Sequence, residues 1–100
     1  MDFGLTNKTA IVTGGNRGIG ASIALALARE GVDLILTARD DVDLGRVAAN
    51  ITAQTGRRVH VQACDLRDVA MARKVVESAL AAFERLDLLV NNAGATKRGD

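Results

Sequence analysis

Thr13-Gly14-Gly15-Asn16-Arg17-Gly18-Ile19-Gly20 lies between the apolar run Thr9-Ala10-Ile11-Val12 and a helix-forming stretch from Ala21 to Glu30. A buried strand, a glycine turn and a helix start therefore succeed one another directly. The first turn of a helix carries N–H groups without intrahelical partners and the positive end of the helix dipole. Glycines leave no side chain between that backbone and an approaching anion, so the chemistry on offer is phosphate binding. With the expected context on both sides, the segment reads as a dinucleotide site.

Three phosphate-binding patterns compete for it. A nucleotide-triphosphate loop, G-x4-G-K-[ST], nearly fits Gly15 to Ser22, but Ala21 stands where a lysine must reach the terminal phosphates. The common G-x-G-x-x-G fingerprint fails because Asn16 occupies the middle glycine position. The pattern that fits is T-G-x3-G-x-G, through Thr13, Gly14, Gly18 and Gly20. Other chemistry-bearing residues are fewer. His60 has no carboxylate or cysteine at ligand spacing and reads as a strand histidine, so no metal site is expected. Cys64 reads as a small buried apolar residue rather than a nucleophile. The tripeptide Arg98-Gly99-Asp100 reads as coincidence.

The elements that position the loop alternate along the chain. Lys8 to Thr13 reads as a strand, Gly18 to Glu30 as a helix stopped by Gly31, and Asp33 to Ala38 as a second, continuously apolar strand. Asp40 or Asp41 is expected to cap a helix carrying Leu44, Val47, Ala48 and Ile51, closed by Gly56. Arg58 to Ala63 reads as strand three. Asp68 caps a third helix whose expected buried stripe is Val69, Ala72, Val76, Ala79 and Phe83. Leu86 to Val90 is strand four, running into Asn91-Asn92-Ala93-Gly94. Helices between strands force parallel pairing through right-handed crossovers. The expected fold is α/β, the N-terminal half of a Rossmann-type doubly wound parallel sheet with strand order 3-2-1-4. Its topological switch falls between strands one and four, where both glycine-bearing turns open on one crevice.

Size and composition narrow the rest. One hundred residues, 48% of them hydrophobic, make at most one modest globular domain. A net charge of +1 with scattered basic residues argues against nucleic acid. The longest nearly apolar stretch, Ile19 to Ala28, is too short to span a bilayer, and no signal peptide is visible, so neither membrane nor export is expected. A single cysteine suits a reducing, cytoplasmic setting.

The loop, the Asn91-Asn92-Ala93-Gly94 segment and Cys64-Asp65-Leu66 occur in the order and spacing of the short-chain dehydrogenase/reductase family, which the chain resembles from about Leu5 onward. The resemblance implies NAD(P)-binding by Gly14, Asn16, Arg17, Gly18, Ile19 and Gly20 in the loop. It adds Arg39 after strand two, Asp65 and Leu66 after strand three, and Asn92, Ala93 and Gly94 after strand four. Asp65 would contact the adenine, or equally cap its turn. Asn92 would brace strand four near the ribose, or be an ordinary turn residue. Ala38 stands where an NAD site places a carboxylate, and Arg39 comes next, so NADP(H) is favoured, with Arg17 reaching the same 2′-phosphate. The alternative is NAD(H), with Arg39 in solvent and Asp40 or Asp41 on the ribose.

Hydride transfer between the nicotinamide and a small-molecule carbonyl or alcohol substrate is implied by the same resemblance, as is a homo-oligomer at full length. In the family a tyrosine acts as general acid or base, and a lysine four residues on lowers its pKa and holds the ribose. This chain has no tyrosine, so no catalytic residue is assigned to it. Residues 1–100 are expected to be the N-terminal part of one longer NAD(P)-binding domain, truncated at the C-terminus and inactive alone. The competing readings are a non-catalytic cofactor-binding module, such as a redox-sensing regulator, and a remnant that binds nothing.

Overall fold

The computed structural model describes residues 4–14, 18–39, 43–64 and 68–91. Strand β1 (Thr9–Thr13) is buried throughout. It leads to α1 (Gly18–Arg29), β2 (Asp33–Ala38), α2 (Leu44–Thr55), β3 (Val59–Ala63), α3 (Val69–Phe83) and β4 (Leu88–Asn91). The strands form one sheet in the order β3-β2-β1-β4, and each pairing is parallel. Strand order and parallel pairing are those expected of a doubly wound α/β fold.

The period of two along each strand divides the core. Ala10, Val12, Leu34 and Leu36 face α1 and α2, which meet them with Ala24, Ala28, Leu44, Val47, Ala48 and Ile51. Ile11 and Ile35 face the other way, against Val75 and Ala79 of α3, with Cys64 beside them. Helix α1 buries Gly20, Ala24 and Ala28, a line of small residues at steps of four that lets it lie close to the sheet. Gly31 ends the turn after α1 at φ 92°, and a Cβ there would stand 2.9 Å from the Thr6 Cα. Gly56 closes α2 in the left-handed region, its N–H bonded to the Thr52 carbonyl.

Four expectations are corrected. Helix α2 begins after Asp43, which makes no side-chain cap bond and instead pairs its carboxylate with Arg46 at 3.2 Å; Asp40 and Asp41 lie outside the described residues. In α3 the buried residues are Val75 and Ala79, with Met71 and Phe83 packed beside them, whereas Val69 and Val76 are 73% and 40% exposed. The helix carries two adjacent apolar stripes, and the sheet face of Ile11 and Ile35 takes the one through Val75. Strand β3 starts at Val59 because the Arg58 N–H donates to the Asp33 carboxylate at 3.1 Å rather than to the ladder. Strand β4 starts at Leu88: Leu86 packs under α3, and Asp87 turns its carboxylate to Arg85 and to the Thr9 N–H. Smaller shifts trim Lys8 from β1 and Glu30 from α1 and carry β4 to Asn91. Among the described residues no helix is long and apolar enough to cross a membrane.

Candidate functional site

Ligands of such sheets sit beyond the carboxyl ends of the strands, beside the switch between β1 and β4. At the exit of β1, Gly14 takes φ 67°, a left-handed conformation that suits glycine, and its N–H donates to the Thr37 carbonyl at 2.7 Å. The first turn of α1 lies beyond it. Gly18 is exposed, and a Cβ built on it would meet nothing within 4 Å. Ile19 beside it is 72% exposed, while Gly20 is buried. Among the described residues nothing therefore stands close over Gly18 at the helix start, where a helix leaves its first N–H groups without intrahelical partners, and a phosphate fits such a place.

The neighbouring strands end in step with this turn. Beyond the half-buried Ala38, Arg39 is exposed. At the exit of β3 the Cys64 N–H donates to the Ala38 carbonyl at 2.8 Å, and Cys64 Sγ lies 3.1 Å from Thr37 Oγ1. Cys64 itself is only 4% exposed, in keeping with a packed rather than reactive thiol. At the far side of the switch, the Thr13 hydroxyl is 3.0 Å from Asn91 Oδ1 and 3.3 Å from the Val90 carbonyl. Gln62, Thr37, Thr13 and Asn91 stand in register across the four strands, a polar row just below the strand exits.

Of the residues expected to touch a cofactor, the structure brings Gly14, Gly18, Ile19, Gly20 and Arg39 to this one end of the sheet. Asn16, Arg17, Asp65, Leu66, Asn92, Ala93 and Gly94 lie outside the described residues. Two contributors escape the sequence pattern. Asn91 reads only as a letter of its motif, yet its side chain meets Thr13 across the switch. Thr37 reads as one more strand residue. Its signal is a hydroxyl after the run Leu34-Ile35-Leu36, since a buried hydroxyl needs a partner.

The amino ends of the strands hold the displaced titrations. Burial, the largest single influence on Asp33, opposes its ionisation. Hydrogen bonds from the Arg58 side chain and N–H, with the charges of Arg57 and Arg58, together hold its carboxyl below the usual range. Arg58 reaches it at 2.8 Å and Arg57 at 3.2 Å. The Arg58 guanidinium also sits 4.7 Å from the centre of the Phe83 ring. The Arg85 side chain, and after it the Thr9 N–H, bring Asp87 down to about 2. These carboxylates join strand starts and stand at the opposite end of the sheet from Gly14, Arg39 and Cys64.

A four-stranded parallel sheet of order β3-β2-β1-β4 with helices between its strands, a left-handed Gly14 at the exit of β1 and a helix starting at Gly18 beyond it, is the architecture of a doubly wound α/β protein. The sequence model of the short chain dehydrogenase family matches residues 8–100, and the chain belongs to that family. It is 44% identical over 94 residues to an uncharacterized oxidoreductase of Mycobacterium tuberculosis, covering 94% of this chain and 35% of that protein. The chain thus spans about a third of that relative's length. Among solved structures it resembles L-sorbose reductase from Gluconobacter frateurii, complexed with NADPH and L-sorbose. The TM-score is 0.91 at 37% identity, over 100% of this chain and 38% of that one. It also resembles a short chain dehydrogenase of Mycobacterium paratuberculosis bound to NAD. There the TM-score is 0.83 at 31% identity, over 92% and 38% of the two chains.

Proposed function

We propose that the protein is an NADP(H)-dependent oxidoreductase acting on a small carbonyl or alcohol, in which this chain holds the adenosine and pyrophosphate half of the cofactor. When bound, the cofactor supplies or accepts the hydride. The observation that carries this reading is the start of α1 behind Gly14, where among the described residues nothing stands within 4 Å of a Cβ built on Gly18, together with an exposed Arg39 just beyond β2. The N–H groups of α1 would take the pyrophosphate, and Gly14, Asn16, Arg17, Gly18, Ile19 and Gly20 would surround it. Arg39, with Arg17, would take a 2′-phosphate that a carboxylate at position 38 would repel. Asp65 and Leu66 would meet the adenine, and Asn92, Ala93 and Gly94 the ribose beyond β4. Residues 1–100 are then the N-terminal part of one NAD(P)-binding domain, inactive without the proton donor. A cytosolic, homo-oligomeric protein belongs to the same reading.

Support for NADP(H) over NAD(H) rests on Ala38, Arg39 and Arg17, since the structural neighbours include both an NADPH and an NAD complex. A charge-assisted hydrogen bond contributes roughly 1.5–3 kcal/mol, which is on the order of tenfold or more in affinity. In the full-length protein, NADPH is expected to bind at least tenfold more tightly than NADH by fluorescence titration. Arg39→Asp is expected to remove or reverse that preference. Equal affinities in the unaltered protein, or an unchanged preference in the variant, would sink the assignment.

A further inference from the structure

We propose that Thr37 and Cys64 act as a positioning pair for the adenosine half of the cofactor, an inference that rests on the cofactor reading above. Thr37 is 0% exposed, and a valine would fill the same space without a hydroxyl to satisfy. The hydroxyl finds its partner in Cys64 Sγ at 3.1 Å, one strand away. The same short stretch of β2 holds the exits of both neighbours. The Thr37 carbonyl takes the Gly14 N–H, and the Ala38 carbonyl takes the Cys64 N–H. Residues 37 and 38 therefore tie together the turn beyond β1, the end of β2 and the end of β3.

Each tied residue stands directly before a proposed ligand contact. Ala38 precedes Arg39, Cys64 precedes Asp65, and Gly14 opens the glycine turn. The bond between Thr37 and Cys64 is the described side-chain link that joins the exits of β2 and β3, and it lies on the face covered by α3. Loosening it lets these two exits shift relative to each other. Contacts of fixed geometry weaken steeply with displacements of about 1 Å. Neither residue touches the cofactor; each acts through the backbone that carries the contact residue.

The experiment uses the full-length protein and two probes, NADPH and adenosine 2′,5′-bisphosphate, titrated well below the thermal midpoint of every variant. Thr37→Val and Cys64→Ala are each expected to weaken both probes by about three- to tenfold, the size of one neutral hydrogen bond. Thr37→Ser and Cys64→Ser, which keep a hydrogen-bonding group, are expected to stay within about twofold of the parent. The double variant is expected to bind no more weakly than the weaker single one, because both remove the same bond. Parent-like binding in Thr37→Val and Cys64→Ala overturns the pair while leaving the cofactor reading intact. Equal losses in the serine and the apolar variants also overturn it, since packing alone would then explain them. If the unaltered protein binds neither NADPH nor NADH, the cofactor reading fails and the pair falls with it.

Discussion

The two ends of the sheet are built from opposite materials. At the amino ends, charges are neutralised within the chain: Asp33 is bound by Arg57 and Arg58, and Asp87 by Arg85 and the Thr9 N–H. At the carboxyl ends the strand exits are tied by uncharged groups, the Thr37–Cys64 and Thr13–Asn91 contacts and the backbone bonds of Gly14 and Cys64. Gly18 at the start of α1, the positive end of the helix dipole, and Arg39 are exposed there. The difference teaches where to look for function in this fold. Displaced carboxylate titrations are often taken as marks of an active site. Here they mark the structural end, and the end proposed to bind the cofactor carries instead an exposed glycine at a helix start and buried groups that pair without charge.

The largest expected effect separates the ends by stability. Asp33→Asn removes a buried carboxylate that receives three hydrogen bonds from Arg58. Breaking a fully enclosed ion pair costs about 3–5 kcal/mol; with Arg58 64% exposed, about 2–3 kcal/mol is expected here. Urea unfolding measures that loss, and NADPH affinity under folding conditions should stay within about twofold. A large loss of affinity without loss of stability would break the division between the two ends.

Gly18→Ala tests the other end by the reverse signature. Open space around the added Cβ and its helical position predict unchanged stability, or a gain of up to about 1 kcal/mol. On the proposed reading the methyl group would stand where the pyrophosphate approaches, so NADPH affinity is expected to fall by roughly tenfold or more, about 1.4 kcal/mol. A destabilised variant with normal affinity would move Gly18 from the binding end to the structural one.

The smallest effect concerns acid. Asp87 has its folded pKa depressed from 3.8 to about 2, so its contribution is complete above the unfolded value and is lost as pH falls toward about 2. Asp33 acts in the same direction. Asp87→Asn should therefore melt below the parent near about pH 5, with the gap closing as the solution is acidified through that window. A gap that persists below about pH 2 would show that Asp87 acts through shape rather than charge.

Much of this architecture is legible in local pattern. The continuous apolar runs of β1 and β2, the glycines at 31 and 56 and the cap at Asp68 each act within a few residues, and the structure places them as expected. The Asp68 carboxylate does accept from the N–H groups of Ala70 and Met71. Local pattern misleads where two local answers are equally good. Helix α3 offers two apolar stripes, the start of α2 offers three aspartates, and Leu86 is as strand-like as Leu88. Only contacts from distant residues choose among them: Ile11 and Ile35 for the stripe through Val75, and Thr9, whose N–H goes to the Asp87 carboxylate, for the start of β4 at Leu88.

The sequence by itself determined the order of elements, the parallel sheet and the glycine turn that opens it, because backbone freedom, capping and period are properties of neighbouring residues. The tertiary structure alone decided which end holds its charges and which polar groups bind the strand exits together. Thr37 and Cys64, like Thr13 and Asn91, are far apart along the chain and meet only when parallel strands fall into register. A buried hydroxyl announces that it needs a partner, but the sheet's register supplies it.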